Sequence, residues 1–539
     1  MSLGPIVRIA YHVPGIERRR QVVIAGNGAA TGGNDARELG VIVRGNDEVR
    51  RVAVCPEVPV IIDEVVATMS VALADADAIY LNGYNSWTDS VERPVDGRMW
   101  GLTRVPGSVV EKYALDSSGD YRFVKEDPRP GHQHGFGYGY LRQGDEVLLF
   151  GSLDENSGFT LIREDLEAGT LTFDKEPPAC VLPAGREREL IALAVTGGSL
   201  EDAVNRWVAL AGIHPMPARP VVGYCSWYRH YADIDEATLL ADLGGAAEVL
   251  AGANLDGLDP VFQVDDGFAK VGDWLEYDRD RFPGGPAVLA RAAKESRLVP
   301  GLWLAPYMCE RDSRLYDEHP EWLLRNERGD LVVAGSNWSG AFALDICNEE
   351  VRAHVRQVLR TVTEEWGFKL LKLDFLYAAC LEPHDGLNRG ELMARGVDLL
   401  RESVPEGTRL LLCGVPLTSA FGKCEYCRVG QDVGLDWDDM PQRRLLHRER
   451  VSTRLSLANA RGRAHLDGRV FRCDPDVLIL REEGVTFTAS QRVEMFVTDT
   501  SSGGVMLTSD DMGAWDETQL TRYHEAINRF RAYNLAKST

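Results

Sequence analysis

The sequence lacks the segments that mark membrane and secreted proteins. No apolar run approaches the roughly 18 residues that a helix needs to cross a bilayer. The N-terminus, MSLGPIVRIAYHVPG, has no basic segment followed by an apolar one, so it does not read as a signal peptide. We therefore expect a cytoplasmic protein that does not bind membranes.

Positive charge is also scarce. The chain has 59 lysine and arginine residues against 82 aspartate and glutamate residues, which gives a formal net charge of −23. Nucleic acids and anionic membranes would repel such a surface. The excess of negative charge fits a protein that binds a neutral small molecule. It does not indicate the oligomeric state.

Cysteines are few and scattered. Ten cysteines in 539 residues are too sparse for a disulfide scaffold and suit a reducing compartment. Cys424 and Cys427 form a single C-x-x-C pair. A zinc site would need two more ligands at a suitable spacing, and no second pair appears. We therefore predict no metal site.

The first part of the chain, residues 1–198, predicts an all-β domain. Short segments such as IVRIAYHV and RELIALAV are rich in β-formers and are separated by glycine, proline, asparagine or aspartate. This pattern is typical of a large sandwich. Residues 199–220 predict a helix capped by Ser199 and stopped by Gly212, followed by a proline-rich linker.

The remaining chain, residues 221–539, alternates strands with amphipathic helices. Apolar strands begin near residues 221, 259, 298, 368, 408, 427, 470 and 503. Eight such units predict a (β/α)₈ barrel. A doubly wound open sheet is the competing fold, but its phosphate-binding glycine pattern is missing. Residues 306–345 are too long for a simple connection and predict an elaborated loop after the third strand.

The run LLKLDF, residues 370–375, carries two charges in a buried strand. Side chains alternate along a strand, so Lys372 and Asp374 face the same side. Burial favours the neutral carboxyl, whereas a nearby ammonium favours the ionised one. A desolvated carboxylate is a good nucleophile, but a structural ion pair explains the run equally well.

Other strands of the predicted barrel also end in polar and aromatic residues. In a barrel these ends meet at one mouth, where the active site forms. They are Trp227, Tyr228, Asp265, Asp266, Trp303, Lys372, Asp374, Cys413, Arg428, Asp432, Asp510 and Asp511. Aromatic rings cover the C–H faces of sugars and carboxylates accept hydrogen bonds from hydroxyls, so this set predicts a carbohydrate site.

Glycoside hydrolysis requires two acids in different environments. Asp374 would stay ionised beside Lys372, and a second acid would be kept protonated by burial or by negative neighbours. The stretch RVGQDVGLDWDDM offers Asp432, Asp436, Asp438 and Asp439, and the pattern does not choose among them.

Two other functions use the same residues. Asp265, Asp266 and Asp374 could bind a divalent metal in a lyase or isomerase, although Lys372 disfavours a cation there. A sugar-binding module without catalysis would keep the aromatic residues but would not need Asp432.

Several stretches, in this order, resemble the α-galactosidase (melibiase) family of glycoside hydrolases, in the clan of the raffinose synthases. They are SWYRHY, FQVDDGFAKVGDWLEYDRDRFPGG, GLWLAPYMCERDSRLYDEHPEW, LLKLDF, LLCGVPL and RVGQD. The resemblance implies an N-terminal β-supersandwich before the barrel. It also implies retaining hydrolysis of terminal α-linked galactose without cofactor or metal. An α-N-acetylgalactosaminidase or an α-galactosyl transferase of the same clan would share the acids.

The resemblance also assigns roles to individual residues. Asp374 matches the nucleophile, and Asp432 matches the acid/base because it lies four residues after Arg428. Asp265 and Asp266 match the pair that binds the 4- and 6-hydroxyls of galactose. Residues matching the lining of the sugar subsite are Trp303, Lys372, Arg428, Tyr228 and Cys413. NGYNSW resembles the sandwich segment that lends a tryptophan, here Trp87, to the site, although local pattern alone favours a structural aromatic.

Overall fold

The computed structural model describes residues 4–438 and 448–538. Short strands separated by turns dominate the first part of the chain. They are β1 (Ile6–His12), β2 (Arg20–Ile24), β3 (Ala30–Thr31), β4 (Val41–Gly45), β5 (Val49–Val54), β6 (Ile61–Ser70), β7 (Ala78–Leu81), β8 (Glu92–Arg93), β9 (His134–Phe136), β10 (Tyr138–Gln143), β11 (Glu146–Ser152), β12 (Thr160–Asp165), β13 (Thr170–Lys175) and β14 (Arg188–Ser199).

These strands form two antiparallel sheets of seven strands each. Their orders are β3-β2-β1-β6-β13-β12-β9 and β4-β5-β14-β11-β10-β7-β8. In β1, Val7 and Ile9 are buried while Arg8 between them is exposed, the alternation expected of a strand with one face on a core. The core holds residues of both sheets, such as Phe150 and Phe173. The predicted N-terminal sandwich is confirmed.

The second part of the chain contributes the remaining strands. They are β15 (Val221–Cys225), β16 (Asp259–Val264), β17 (Val299–Leu304), β18 (Met308–Glu310), β19 (Val333–Gly335), β20 (Ala341–Ala343), β21 (Leu370–Leu373), β22 (Arg409–Leu412), β23 (Tyr426–Arg428), β24 (Arg472–Asp474) and β25 (Val505–Thr508).

Eight of these strands form a parallel sheet in the order β24-β23-β22-β21-β17-β16-β15-β25. The sheet nearly closes on itself, because Gly504 N donates to Cys473 O at 3.0 Å and Leu478 N to Leu507 O at 2.8 Å. The predicted (β/α)₈ barrel is therefore confirmed. The boundaries proposed at residues 198 and 221 stay predictions.

Helices accompany the barrel strands and also occur within the sandwich. They are α1 (Asn34–Leu39), α2 (Gly107–Tyr113), α3 (Leu200–Leu210), α4 (Trp227–His230), α5 (Glu236–Ala251), α6 (Pro286–Glu295), α7 (Arg314–Glu318), α8 (Glu349–Arg360), α9 (Arg389–Glu402), α10 (Thr453–Gly462), α11 (Ala489–Asp499) and α12 (Glu517–Ser538). As expected, Ser199 caps α3 by accepting from Asp202 N. Among residues 4–438 and 448–538, no helix has the length and apolar character needed to cross a membrane.

The long connection after β17 folds into a small unit of its own. Strands β18, β20 and β19 pair in an antiparallel sheet, with α7 beside it. Leu315, Trp322 and Phe342 belong to its separate apolar cluster. This unit places the turn between β19 and β20 at the mouth of the barrel.

One buried arginine joins the sandwich to the barrel. Arg463 is fully buried. Its guanidinium donates to two acceptors in the sandwich, Asn82 Oδ1 at 3.2 Å and Ser86 O at 2.5 Å. It also donates to Val429 O in the barrel at 3.0 Å. Hydrogen bonds from a charged donor each contribute about 1.5–3 kcal/mol. They hold the segment that carries Trp87 against the barrel.

Candidate active site

A cavity of 410 Å³ lies at the carboxyl ends of the barrel strands. The sandwich, the barrel and the small unit after β17 all contribute to it. Its lining comprises Trp87, Tyr113, Ala114, Leu115, Ser117, Ser118, Trp227, Ala232, Asp265, Asp266, Trp303, Gly335, Ser336, Asn337, Trp338, Lys372, Asp374, Phe375, Tyr377, Asp432, Glu449, Arg450 and Val451. Eight predicted residues are therefore brought together: Asp374, Asp432, Asp265, Asp266, Trp303, Lys372, Trp87 and Trp227.

Asp374 follows the buried strand β21 directly. Its amide donates to Leu304 O at 2.8 Å, which fixes its backbone against β17. Phe375 then takes a left-handed conformation, with φ of 54°, and its amide donates to Asp374 Oδ1 at 2.7 Å. Trp303 Nε1 donates to Asp374 Oδ2 at 3.1 Å. Each carboxylate oxygen thus accepts an N–H hydrogen bond.

Burial raises the pKa of Asp374, and the nearby Asp432 carboxylate raises it further. The Lys372 ammonium opposes both effects, as do hydrogen bonds from the Cys413 thiol and the Trp303 indole. Lys372 thus lowers the pKa of Asp374, as the sequence led us to expect, but hydrogen bonds from Cys413 and Trp303 lower it as well.

Lys372 itself forms its short ion pair with Asp265 rather than with Asp374. Its Nζ lies 2.9 Å from Asp265 Oδ2, and both side chains are almost fully buried. Gln263 Nε2 donates to the same oxygen at 2.9 Å, and Ser226 Oγ accepts from the Asp265 amide at 2.9 Å. Although burial alone would lower it, the Asp265 charge keeps the pKa of Lys372 well above its usual range.

Asp266 has a different environment from its neighbour. Trp338 Nε1 donates to Asp266 Oδ2 at 2.7 Å. Burial raises the pKa of Asp266 to about 7, while this indole hydrogen bond lowers it and the Asp265 charge raises it. Asp266 therefore changes its ionisation close to neutral pH.

Asp432 is held by a buried arginine. Arg428 Nη1 donates to Asp432 Oδ1 at 2.9 Å, and the same guanidinium contacts Asp474 at 3.2 Å and Asp476 at 2.7 Å. The Asp432 side chain remains 37% exposed. The sequence led us to expect burial or negative neighbours around the second acid. Negative neighbours are present, because Asp374 and Asp476 interact electrostatically with Asp432, but the side chain is not buried and it also contacts a guanidinium.

Three predicted sugar-contacting residues do not line the cavity. Arg428 lies behind Asp432, and Tyr228 donates its hydroxyl hydrogen to Asp476. Cys413 is fully buried and accepts a hydrogen bond from Trp87 Nε1 at 3.3 Å. Direct sugar contact of these three residues stays a prediction; the contacts seen here position other residues.

The remaining acids of the sequence analysis lie elsewhere. Asp510 pairs with Arg481, and Asp438 pairs with Arg450. Neither of these acids lines the cavity, nor do Asp436 and Asp511. Asp439 lies outside the described residues.

Sequence reasoning missed several residues of the site. Trp338 comes from the elaborated loop after β17. An aromatic residue in a polar, glycine-containing stretch was the only feature of the sequence that could have indicated its place in the site. Asp476 follows β24, and burial raises its pKa to about 7 despite the opposing Arg428 charge. Tyr113 lines the cavity from the end of α2, and Glu449 lines it from the connection between β23 and α10; no local pattern marks either residue.

One group of side chains outside the cavity has the composition of a metal site. The ligand atoms of Asp345, Cys347, His384 and Asp385 lie within 4.8 Å of one another. His384 Nε2 is paired with Asp345 Oδ1 at 3.1 Å, which satisfies both groups without an ion. Cys424 and Cys427 belong to no such group within the described ranges, so their spacing is not part of a four-ligand site there.

Comparison with known proteins finds similar sequences and structures. The Melibiase family model matches residues 213–380, which span β15 to the turn after Asp374. This stretch of the chain is similar to the α-galactosidase (melibiase) family. A similar solved structure is that of TtGalA, an α-galactosidase from Thermus thermophilus in complex with p-nitrophenyl α-D-galactopyranoside. The two chains are 27% identical and superpose with a TM-score of 0.70, and the alignment covers 90% of this chain and 94% of TtGalA.

Sequence similarity to curated members of the family is local. α-Galactosidase AgaA of Geobacillus stearothermophilus is 35% identical over 151 residues, which cover 28% of this chain and 20% of AgaA. α-Galactosidase 2 of Pediococcus pentosaceus is 31% identical over 105 residues, which cover 20% of this chain and 14% of that protein. These matches thus span less than a quarter of either relative. The AgaA crystal structure, with 14% identity and a TM-score of 0.60, shares the fold.

Proposed function

We propose that this protein is a retaining glycoside hydrolase that removes terminal α-linked galactose from oligosaccharides or glycosides. The observation that carries the proposal is the placement of Asp374 and Asp432 in one cavity, with Asp265, Asp266 and two tryptophans. TtGalA, the similar protein noted above, has been solved in complexes with an aryl α-galactoside and with stachyose.

In the first step, Asp374 attacks the anomeric carbon as a nucleophile. The bond between that carbon and the leaving oxygen breaks, and Asp432 gives its proton to the leaving oxygen. A β-galactosyl ester on Asp374 results. The donors around Asp374, Trp303 Nε1 and the Phe375 amide, keep the carboxylate in a fixed orientation for this attack.

In the second step, a water molecule attacks the same carbon. Asp432, now a carboxylate, takes a proton from this water while the ester bond to Asp374 breaks. Solvent exposure of Asp432 supports this role, since the side chain that exchanges protons has to meet both the leaving group and water. Galactose with the α configuration is released.

Other residues that line the cavity would recognise the sugar. Asp265 and Asp266 would accept hydrogen bonds from the 4- and 6-hydroxyls, and Lys372 supplies donors beside them. Trp303 and Trp87 offer faces for the C–H groups of the ring. A divalent-metal lyase or isomerase fits this cavity less well, because the Lys372 ammonium already neutralises Asp265 within the carboxylate group.

A panel of aryl α-glycosides tests the proposal. We expect the galactoside to be hydrolysed fastest, with the α-anomer of galactose as the first product detected by proton NMR. Preference for an N-acetylgalactosaminide, or transfer to a sugar acceptor in place of water, would identify one of the related activities that use the same acids. Release of the β-anomer would refute the retaining mechanism.

We also propose that the protein acts in the cytoplasm. All ten cysteines are unpaired, and seven are buried, which suits a reducing compartment. Fractionation of producing cells tests this location, and activity found chiefly outside the cells would contradict it.

A further inference from the structure

A second cavity adjoins the active-site cavity. It has a volume of 500 Å³, and its lining includes charged residues such as Lys270 and Glu276. The two cavities share three lining residues, Ala232, Asp266 and Trp338. These three residues therefore stand at the boundary between the two spaces.

Trp338 supplies most of the bulk at that boundary. Ala232 has a single methyl group, and Asp266 is small and already assigned to sugar hydroxyls. The indole of Trp338 packs on the active-site side, with its ring centroid 5.2 Å from that of Phe375 and 6.2 Å from that of Trp303. Its Nε1 donates to Asp266 Oδ2 at 2.7 Å, which links the indole to the carboxylate.

The turn that carries Trp338 is anchored to the small sheet after β17. Ser339 Oγ donates to Glu310 Oε2 at 2.9 Å, and Arg311 N donates to Gly340 O at 3.0 Å. Trp338 adopts a left-handed backbone conformation, with φ of 54°, which is uncommon for a bulky residue. The indole is thus held at the boundary by several contacts rather than by its own ring packing alone.

We propose that Trp338 is a specificity-determining wall that restricts the sugar site to galactose units with free 4- and 6-oxygens. The inference rests on the proposed function, which places those two oxygens at Asp265 and Asp266. A substituent on either oxygen would extend past Asp266 and meet the indole. Shortening the side chain at position 338 joins the two cavities, and the polar second cavity then accepts a substituent such as a further sugar unit.

The hydrogen bond and the wall are two separable roles of the same indole. Trp338→Phe keeps a ring at the boundary but removes the N–H donor to Asp266. Trp338→His keeps an N–H donor in a smaller ring. Trp338→Leu removes both the donor and the bulk. Trp100→Phe is a matched control, because Trp100 is 40% exposed and lines neither cavity.

The experiment measures kcat/KM of the wild type and these variants on p-nitrophenyl α-galactoside and on its 6-O-methyl derivative. The decisive quantity is the ratio of the second value to the first. A misfitting methyl group typically costs about 10–200-fold in kcat/KM, so we expect W338L and W338H to raise the ratio by about tenfold or more. W338F should leave the ratio near the wild-type value and raise KM for the unsubstituted substrate, whereas W100F should change neither.

An unchanged ratio in both W338L and W338H, with wild-type melting temperatures, would overturn the wall. Failure of the proposed function would look different, because the wild type would then not hydrolyse unsubstituted p-nitrophenyl α-galactoside. In that event the same ratio is measured on the aryl glycoside that the wild type does hydrolyse and on its 6-O-methyl derivative, and the same outcomes decide the role of Trp338.

Discussion

Asp374 and Asp432 face one cavity but sit in opposite surroundings. Asp374 is buried, each of its oxygens accepts an N–H hydrogen bond, and its backbone extends a barrel strand. Asp432 follows the short strand β23, is 37% exposed, and pairs with the guanidinium of Arg428. Identical side chains are therefore placed for different tasks by their neighbours.

The difference follows the chemistry that each role requires. A nucleophile gains from a fixed orientation and from partial desolvation, provided that donors keep it ionised. A residue that exchanges protons in both steps needs access to the leaving group and to water.

Removal of the proposed nucleophile should have the largest effect. Asp374→Ala should lower kcat on an aryl α-galactoside by about 10⁴-fold or more, equal to about 5.5 kcal/mol in activation free energy. Added azide should restore part of the reaction and yield β-galactosyl azide, since the small anion fits where the carboxylate was. Wild-type turnover in the variant would refute the assignment of Asp374.

The effect of removing the proposed proton donor should depend on the leaving group. Asp432→Ala should lower kcat/KM by about 10²–10⁴-fold for an alkyl or sugar leaving group, which needs a proton. For a dinitrophenyl galactoside the loss in the first step should be much smaller, because that leaving group departs as an anion. Equal losses on both substrates would show that Asp432 does not act as the acid. Asp436→Ala is the matched control, since Asp436 lies four residues away and does not line the cavity.

The buried support of Asp432 should matter less. Asp476 accepts hydrogen bonds from Arg428 at 2.7 Å, from the Val433 amide at 2.8 Å and from the Tyr228 hydroxyl. Asp476→Asn keeps the shape but weakens the contact with Arg428, which should cost about tenfold in kcat because a hydrogen bond to a charged group contributes about 1.5–3 kcal/mol. The KM should change little. A rise in KM without a fall in kcat would assign Arg428 or Tyr228 to sugar binding instead.

The smallest effect concerns the pH dependence of Asp374. Trp303 Nε1 lowers the pKa of this carboxyl, so Trp303→Phe should raise it. Because the proposed mechanism uses Asp374 in its ionised form, the acidic limb of the kcat/KM profile should move to higher pH. A full pH profile of the variant and the wild type measures this shift. Movement of the limb to lower pH would show that the indole does not act as a donor to the ionised carboxylate.

Sequence periodicity predicted the fold because burial follows the same rules in every strand. The alternation of apolar and polar residues in β1 indicates a strand that is buried on one face. The continuous apolar run in β21 indicates a strand that is buried on both faces. Strand ends then placed Asp265, Asp266, Trp303, Lys372 and Asp374 together, since parallel strands of a barrel end at one mouth. The role of Asp432 required resemblance to a family, because the acidic run offered four equivalent residues.

Local periodicity was thus enough to predict the sandwich, the eight barrel strands and the carboxylates at the mouth. The partner of each charged side chain, in contrast, depends on how the chain folds in three dimensions. Lys372 in β21 pairs with Asp265, which follows β16. Arg428 pairs with Asp432, Asp474 and Asp476, and Trp338 donates to Asp266 from the turn between β19 and β20. Apart from Arg428 and Asp432, these partners are dozens of positions apart in sequence, and the pair energies depend on distance and desolvation, which sequence spacing does not encode.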